Sequence, residues 1–320
     1  MRISEHSGPI ICSVDGGAAS YAAAAVSAPV ADALDRELIL AHVYEPPPLG
    51  MLSEQGDETM RRAALEMLRR LESQLPSALR SRTEVLHGPL IGTLLAFSDS
   101  NEAAMIVAGT RAFGRLSSAL RGSVAHRLVT GARRPVLVVP EGSQPPGHGE
   151  EPTFLCGYDA SPTANTALDA CMTLAAACGA RVLVIYVEPT TPPLFTAGAA
   201  LSGGHRLSLE PDGDGRAAER RLDQAAERAG RYAERGVRVQ LELASGQPSE
   251  RLAEKAAASR ADLITVGSRG LGPFETAFLG STAASLVRSA GCPILICPPG
   301  SAATEGAHPG LDGGVLSARG

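Results

Sequence analysis

Residues 267–282 read GSRGLGPFETAFLGST and set glycines in the pattern G, two residues, G, nine residues, G-Ser. The same pattern begins 158 positions earlier, where residues 109–124 read GTRAFGRLSSALRGSV with Ala112 in place of the second glycine. Each copy follows a short apolar stretch typical of a strand and leads into a stretch typical of a helix. Such a loop lets backbone N–H groups approach phosphate oxygens, and the helix dipole favours their negative charge. The repeated loop therefore predicts nucleotide chemistry.

The repeat covers nearly the whole chain of 320 residues. CSVD at residues 12–15 aligns with CGYD at 156–159, and PVLVVP at 135–140 aligns with PILICP at 293–298. The second copy carries 14 extra residues between Val187 and Ser245. Two homologous domains follow, each of a size that buries an adequate core.

The domain boundaries follow from composition. We predict a first domain over 1–140, a Pro/Gly-rich linker over 141–152, a second domain over 153–299 and a disordered tail over 300–320. The insertion over 190–215 is also rich in Pro and Gly, and its sequence favours a surface loop over a lid.

Strand-like and helix-like patterns alternate within each copy. In the first copy, strands are predicted to end at Asp15 and to span 37–44, 83–86, 104–109 and 135–139, with helices over 18–34, 57–75, 90–98 and 123–131. The strands are continuous apolar runs, as in a sheet covered by helices on both faces. The pattern predicts two tandem α/β domains, each a doubly wound, Rossmann-like, five-stranded parallel sheet. If strands one and four are neighbours, Asp15 and the glycine loop face one crevice at the carboxyl edge.

Together these segments resemble the universal stress protein family in tandem form. The resemblance rests on SVDGGAAS and GYDASPTA after the first strands, LAHV and VIYV in the second strands, the loop at 267–282 and the terminal CPILICP. It covers about residues 9–140 and 152–298. It implies an adenine nucleotide alpha hydrolase-like fold that holds ATP, with Mg²⁺ accompanying the nucleotide, and a regulatory role in stress, dormancy or energy sensing.

The resemblance also implies which residues meet the nucleotide. In the second domain, Asp159 and the backbone of Val187 would meet the adenosine, and the phosphates would meet Gly267, Arg269, Gly270, Gly280, Ser281 and Thr282. The matching first-domain positions are Asp15, Val43, Gly109, Gly122, Ser123 and Val124. Ala112 departs from the pattern where the backbone approaches phosphate and where a positive φ would favour glycine. We therefore expect the second site to bind more tightly.

Several of these residues have a simpler interpretation. Asp159, followed by Ser161 and Pro162, equally fits a plain helix start, because an Asp or Ser cap with Pro in the first turn is common. Arg269 fits a solvated side chain as well as a phosphate contact. His87 and His126 are replaced by Ser245 and Ala284 in the second copy, so no shared mechanism needs them.

The amino-acid composition argues against several classes of binding partner. The formal net charge is -5, there is no Trp and only 3% of residues are aromatic, which argues against nucleic-acid binding. Neither a signal peptide nor an 18-residue uncharged apolar run is present, so we expect a cytoplasmic protein without membrane partners. The six cysteines lack CxxC spacing, and buried, reduced thiols are expected, with Cys12, Cys156, Cys292 and Cys297 in strands.

Three functions remain open from the sequence: a non-catalytic ATP-binding regulator, an enzyme that hydrolyses ATP or transfers an adenylyl group, and a nucleotide-independent protein-interaction module. Neither loop contains an Asp, Glu or His that both copies share, so the first is favoured, with slow hydrolysis compatible with it. We also predict that the apolar last strands of the two domains pack together as an internal pseudo-dimer, with further homodimer formation compatible with this arrangement.

Overall fold

The computed structural model describes residues 8–45, 54–110, 124–147, 151–189, 216–270 and 279–299. The linker residues 148–150, the insertion over 190–215 and the tail from 300 onward therefore lie outside the described residues, as does most of the first glycine loop.

Both domains alternate strands with helices, as the apolar patterns predict. The first contains β1 (Ile10–Ser13), α1 (Ala18–Ala33), β2 (Leu38–Tyr44), α2 (Glu54–Glu72), β3 (Ser81–His87), α3 (Leu90–Ser100), β4 (Met105–Thr110), α4 (Val124–Gly131) and β5 (Val136–Pro140). The second contains β6 (Thr153–Gly157), α5 (Pro162–Cys178), β7 (Arg181–Glu188), α6 (Arg216–Gly230), a short 3₁₀ turn (Ala233–Arg235), β8 (Val239–Ser245), α7 (Pro248–Ala258), β9 (Leu263–Gly267), α8 (Ser281–Ser289) and β10 (Ile294–Cys297).

The predicted elements are all present, with their ends displaced by a few residues. The first strand ends at Ser13, two residues before the predicted Asp15, because the chain turns there toward α1. The second helix begins at Glu54 and ends at Glu72, earlier at both ends than the predicted 57–75. The third strand is longer than predicted, because its polar ends continue the parallel pairing with β2 from Ser81 to His87.

The ten strands form one sheet in the order β3-β2-β1-β4-β5-β10-β9-β6-β7-β8. Each domain thus repeats the same order, and the winding reverses between β1 and β4 and between β6 and β9. The predicted neighbourhood of strands one and four is confirmed in both domains. Ligands of such sheets bind outside the carboxyl ends of the strands at this reversal.

The two domains join through β5 and β10, which pair antiparallel with Leu137 opposite Leu295. The predicted packing of the last strands is therefore confirmed. Helices α1 and α5 pack against each other on one face of this joint. Their buried residues belong to one apolar cluster that spans both domains, with Ala31 and Leu168 among its members.

No helix in the described part of the chain is long and apolar enough to cross a membrane.

Candidate nucleotide site

The acidic residue after the first strand of each domain forms a turn and does not cap the following helix. Asp159 Oδ1 accepts a hydrogen bond from Ser161 N at 3.0 Å, and Asp15 Oδ1 accepts one from Gly17 N at 2.8 Å. The cap of α5 is Ser161, whose hydroxyl accepts from Ala164 N at 3.2 Å. The cap interpretation is thus correct for Ser161 and wrong for Asp159, which keeps its second carboxylate oxygen outside this turn.

The turn places one residue of each domain in the left-handed region of backbone conformation. Ala160 has a φ of 65°, and the matched residue of the first domain, Gly16, has a φ of 83°. A non-glycine residue in this region is strained by about 1 to 2 kcal/mol. The same turn is therefore built in both repeats, and only the first uses glycine for it.

The first glycine of the loop pattern is required by packing. A Cβ on Gly109 would lie 2.3 Å from the Ala19 carbonyl oxygen, and a Cβ on Gly267 would lie 2.4 Å from Thr163 Oγ1. In both domains the end of the fourth strand thus touches the first turn of the helix that follows the first strand. This contact brings the start of the glycine loop, at Gly109 or Gly267, beside the acidic turn.

Thr163 reinforces the contact in the second domain. Its hydroxyl donates to the Arg269 carbonyl oxygen, which fixes the start of the loop against α5. Thr163 was not among the predicted site residues. Its only sequence signal is its place, four residues after Asp159, on a helix start that already had a sufficient explanation in Ser161 and Pro162.

The second glycine of the pattern lies directly against the acidic residue. A Cβ on Gly270 would lie 2.9 Å from Asp159 Oδ2. Gly270 is not among the residues with positive φ, so the expected conformational reason for glycine here is wrong. A side chain here would displace the Asp159 carboxylate, so the carboxylate and the start of the loop share one crevice.

The loop closes on itself at its third glycine. Gly280 N donates to the Ser268 carbonyl oxygen at 2.8 Å, and a Cβ on Gly280 would lie 3.4 Å from Arg269 Cα. Gly280 is the N-cap residue of α8 and provides no side-chain cap. The first amide groups of a helix have no partner within the helix, so Ser281 and Thr282 begin a helix whose positive end opens beside Gly270.

The predicted backbone contact on the second strand faces the same side. Tyr158 N donates to the Ile185 carbonyl oxygen at 2.9 Å, and β6 pairs with β7 no further than Ile185. Alternate residues of a strand direct their amide and carbonyl groups to the same neighbour. The backbone groups of Val187 therefore point toward β6 beyond its last pairing, at the edge where Asp159 lies.

The first domain has the same backbone arrangement at this edge but different side chains. Val14 N donates to the Ala41 carbonyl oxygen at 2.8 Å, so the Val43 backbone is oriented as Val187 is. His42 Nδ1 lies 2.7 Å from the Val14 carbonyl oxygen, an interaction that Tyr186 cannot repeat at the matched position. Val124 begins α4, but Gly122, Ser123 and Ala112 lie outside the described residues.

The other candidate side chains lie away from this geometry or outside the described residues. His87 makes an edge-to-face contact with Tyr44, with ring centroids 5.1 Å apart.

A buried ion pair in the second domain was not predicted. Asp169, in the middle of α5, is 2% exposed and accepts from Arg228 Nε at 2.8 Å. The hydrogen bonds to Asp169 raise the pKa of Arg228. The partners are 59 residues apart in sequence, and Ala25 occupies the matched position of Asp169, so neither spacing nor the repeat marks the pair.

The cysteines are free thiols, as predicted. Burial raises the pKa of Cys12 and of Cys292 to about 12. Cys292 was expected in a strand, but it precedes β10, which begins at Ile294 after Pro293. Its side chain is only partly buried.

Fold and site together define a tandem α/β protein in which each domain brings an acidic turn and the start of a glycine loop to the carboxyl edge of a parallel sheet. The model of the universal stress protein family matches residues 7–140 and again residues 152–298. The chain belongs to this family.

Relatives that match both domains and relatives that match one domain carry the same description. A universal stress protein of Mycobacterium tuberculosis is 29% identical over 296 residues, which cover 92% of this chain and 85% of the relative. A universal stress protein of Thermus aquaticus is 35% identical over 146 residues, covering 45% of this chain and 96% of the relative. The crystal structure of a universal stress protein from Archaeoglobus fulgidus has a TM-score of 0.63 at 20% identity, covering 92% of this chain and 99% of that one. This last likeness concerns the fold.

Proposed function

We propose that the second domain binds ATP in the crevice between Asp159 and the loop from Gly267 to Thr282, and that the chain acts as a non-catalytic regulator of a stress, dormancy or energy response. The observation that carries the proposal is the close approach of Gly270 to Asp159, such that a Cβ on Gly270 would lie 2.9 Å from Asp159 Oδ2, beside the start of α8. This arrangement places a hydrogen-bond acceptor suited to ribose hydroxyls next to amide groups suited to phosphates.

The division of labour follows from the chemistry of each group. Asp159 Oδ2 accepts from the ribose, and the Val187 backbone offers one donor and one acceptor to the base. The amides of Ser281 and Thr282 donate to phosphate oxygens, with the helix dipole adding to the attraction. Mg²⁺ would be held mainly by the phosphates and would offset their charge beside the carboxylate.

The regulatory assignment rests on the residues around the loop. Thr163, Ser268 and Gly280 hold the loop through backbone contacts, and a catalytic role would require a base aimed at water beside the phosphates. Neither loop contains an Asp, Glu or His that both domains share. ATP held in this way serves as a signal whose occupancy changes the surface that the protein offers.

The first domain is proposed as the weaker site. It shares the acidic turn and the close approach of Gly109 to α1, but Ala112 replaces the glycine whose Cβ would collide with the carboxylate in the second domain. For this domain, the alternative to ATP binding is a nucleotide-independent role in contact with another protein.

The test is to identify and count the nucleotide. Mass spectrometry of small molecules released from freshly purified protein should detect an adenine nucleotide, and calorimetry of stripped protein should give one tight site per chain. Absence of both would reject ATP binding and favour a module that acts by protein contact.

Asp159→Asn provides the specific variant. Asparagine retains the oxygen that accepts from Ser161 N, so the turn is kept while the charge is lost. We expect ATP to bind about ten- to a hundredfold more weakly, because hydrogen bonds to a charged acceptor are lost. The matched control is Asp15→Asn, which should leave the tight site unchanged. Equal losses in the two variants would place the tight site elsewhere.

A further inference from the structure

We propose that β8, the outer strand of the second domain, is the surface through which two copies of this chain associate, by antiparallel pairing of β8 with its equivalent in the second copy. Within the part of the chain that the structure describes, β8 is the last strand at its end of the ten-stranded sheet. Its outer row of backbone N–H and C=O groups has no strand partner there.

The side chains of β8 are unusual for an outer strand. Val239, Leu241 and Leu243 are 36%, 36% and 46% exposed, and they alternate, so they form one apolar stripe on one face. Long apolar outer strands are templates for pairing with another chain, and proteins usually protect them with charges. Here the stripe is left to solvent.

The outer strand at the opposite end of the sheet provides the comparison. On β3, the positions matched to Val239, Leu241 and Leu243 are Ser81, Thr83 and Val85. Between them, Arg82 forms ion pairs with Glu37 and Glu84, as Glu242 of β8 does with Lys255. The two outer strands therefore differ in the stripe itself, which is mostly polar on β3 and apolar on β8.

The opposite face of β8 is also incompletely covered. A cavity of about 360 Å³ lies between this part of the sheet and α7, lined by Glu242, Ala244 and Lys255 among others. Lys255 Nζ lies 2.5 Å from Glu242 Oε2, so the one acidic side chain of the strand is neutralised within its own chain. Two copies can therefore approach without repulsion between carboxylates.

The backbone directions fix the geometry of the pairing. Val182 N donates to the Arg238 carbonyl oxygen, and Gly246 N donates to the Glu188 carbonyl oxygen. Even-numbered residues of β8 thus direct their backbone groups toward β7. The odd-numbered residues, which carry the apolar stripe, direct theirs outward.

The sequence VQLEL over 239–243 is self-complementary about Leu241. With Leu241 opposite Leu241 of the second copy, Val239 faces Leu243, and Gln240 faces Glu242. The amide of Gln240 can donate to that carboxylate, and the six apolar side chains form one continuous stripe. A two-fold axis through Leu241 is the symmetry that most dimers use. A register centred on Glu242 would oppose two carboxylates and is disfavoured.

The same mode of joining already exists inside the chain. The pairing of β5 with β10 is an antiparallel joint between the outer strands of two parallel sheets, with leucine opposite leucine at its centre. The proposed pairing repeats this joint at the other end of the second domain. We propose a second copy of this chain as the partner, and not a strand of another protein, because the sequence of β8 is self-complementary.

Sedimentation velocity of the full chain over a range of concentrations tests the proposal. We expect the mass to double as concentration rises, and Leu241→Lys to abolish the doubling because it places two lysines across the axis. The matched control is Thr83→Lys on β3, which should leave the dimer intact. Circular dichroism of both variants checks that they fold. Two results would overturn the proposal. One is a native chain that stays monomeric at all concentrations, in which case β8 is covered by the chain's own segments or by another protein. The other is a dimer that survives Leu241→Lys.

A cysteine at the axis tests the register directly. In an antiparallel pair that exchanges hydrogen bonds, the Cα atoms are about 5.5 Å apart, within the range of about 4.4 to 6.8 Å that disulfides span. With oxidised glutathione as oxidant, Leu241→Cys should give a covalent dimer on a non-reducing gel. Leu243→Cys should not, because its counterpart faces Val239, and the native chain controls for Cys178 and Cys292. Equal cross-linking of the two variants would contradict this register.

Discussion

The second glycine of the loop pattern is Gly270 in the second domain and is replaced by Ala112 in the first. Substitution of each residue by the other tests whether this position sets the affinity for ATP. In Gly270→Ala, the new methyl carbon would start 2.9 Å from Asp159 Oδ2, closer than real Cβ atoms approach oxygen. The carboxylate is held by Ser161 N at 3.0 Å, so relief requires that this short side chain turn away from the crevice. Overpacking of this size costs about 1 to 2 kcal/mol. Since about 1.4 kcal/mol is tenfold, ATP should bind the second site roughly five- to thirtyfold more weakly.

The assay is calorimetric titration of stripped protein with ATP, with thermal unfolding measured in parallel to separate binding from folding. Ala112→Gly is the reciprocal variant and should strengthen the first site by a similar factor. A double-mutant cycle tests the mechanism: in the Asp159→Ala background, Gly270→Ala should cost little more, because the colliding group is gone. Fully additive losses, or two equal sites in the native chain unaffected by either exchange, would refute the reasoning.

Three further outcomes are expected. Steady-state phosphate release should stay far below the enzyme-like median of about 10 per second; a rate near that value would mean that the protein is an ATPase. Arg228→Met should destabilise the second domain by about 3 to 5 kcal/mol because it removes the guanidinium group that balances the charge of the buried Asp169. The double variant Asp169→Ala/Arg228→Met should be nearly neutral, as chemical denaturation would show. Ala160→Gly should raise the free energy of unfolding by about 0.5 to 1 kcal/mol by relieving the φ of 65°, and an unchanged denaturation midpoint would contradict this.

The architecture was predictable because its signals are local or repeated. Apolar runs give the strands, and the duplication supplies each assignment twice, so that a weak pattern in one copy is supported by the other. Even the joint between β5 and β10 follows from two proline-bounded apolar strands that needed cover. An apolar strand indicates by its own residues that neighbouring elements must cover it.

The site was predictable only in part, because its contacts depend on how two segments meet. Asp159 was predicted as a site residue and its turn with Ser161 is local, but its close approach to Gly270 depends on the distance between the start of α5 and the loop. The sequence position of Thr163 was not enough to identify it, since its partner is a backbone carbonyl that any residue would provide. The partner of Asp169 lies on α6, beyond the insertion, and no local pattern links them.

The antiparallel joint between β5 and β10 also determines how the two candidate sites relate. Strands within each domain run parallel, so reversal at the joint places the carboxyl edges of the two domains at opposite edges of the ten-stranded sheet. A nucleotide bound at Asp159 therefore cannot touch one bound at Asp15. Coupling between them would have to pass through the joint and through α1 packed on α5, where alanine-rich faces leave few alternative arrangements. We therefore expect the affinity of each site for nucleotide to be governed by its own loop, so that Ala112 would weaken the first site without changing the second.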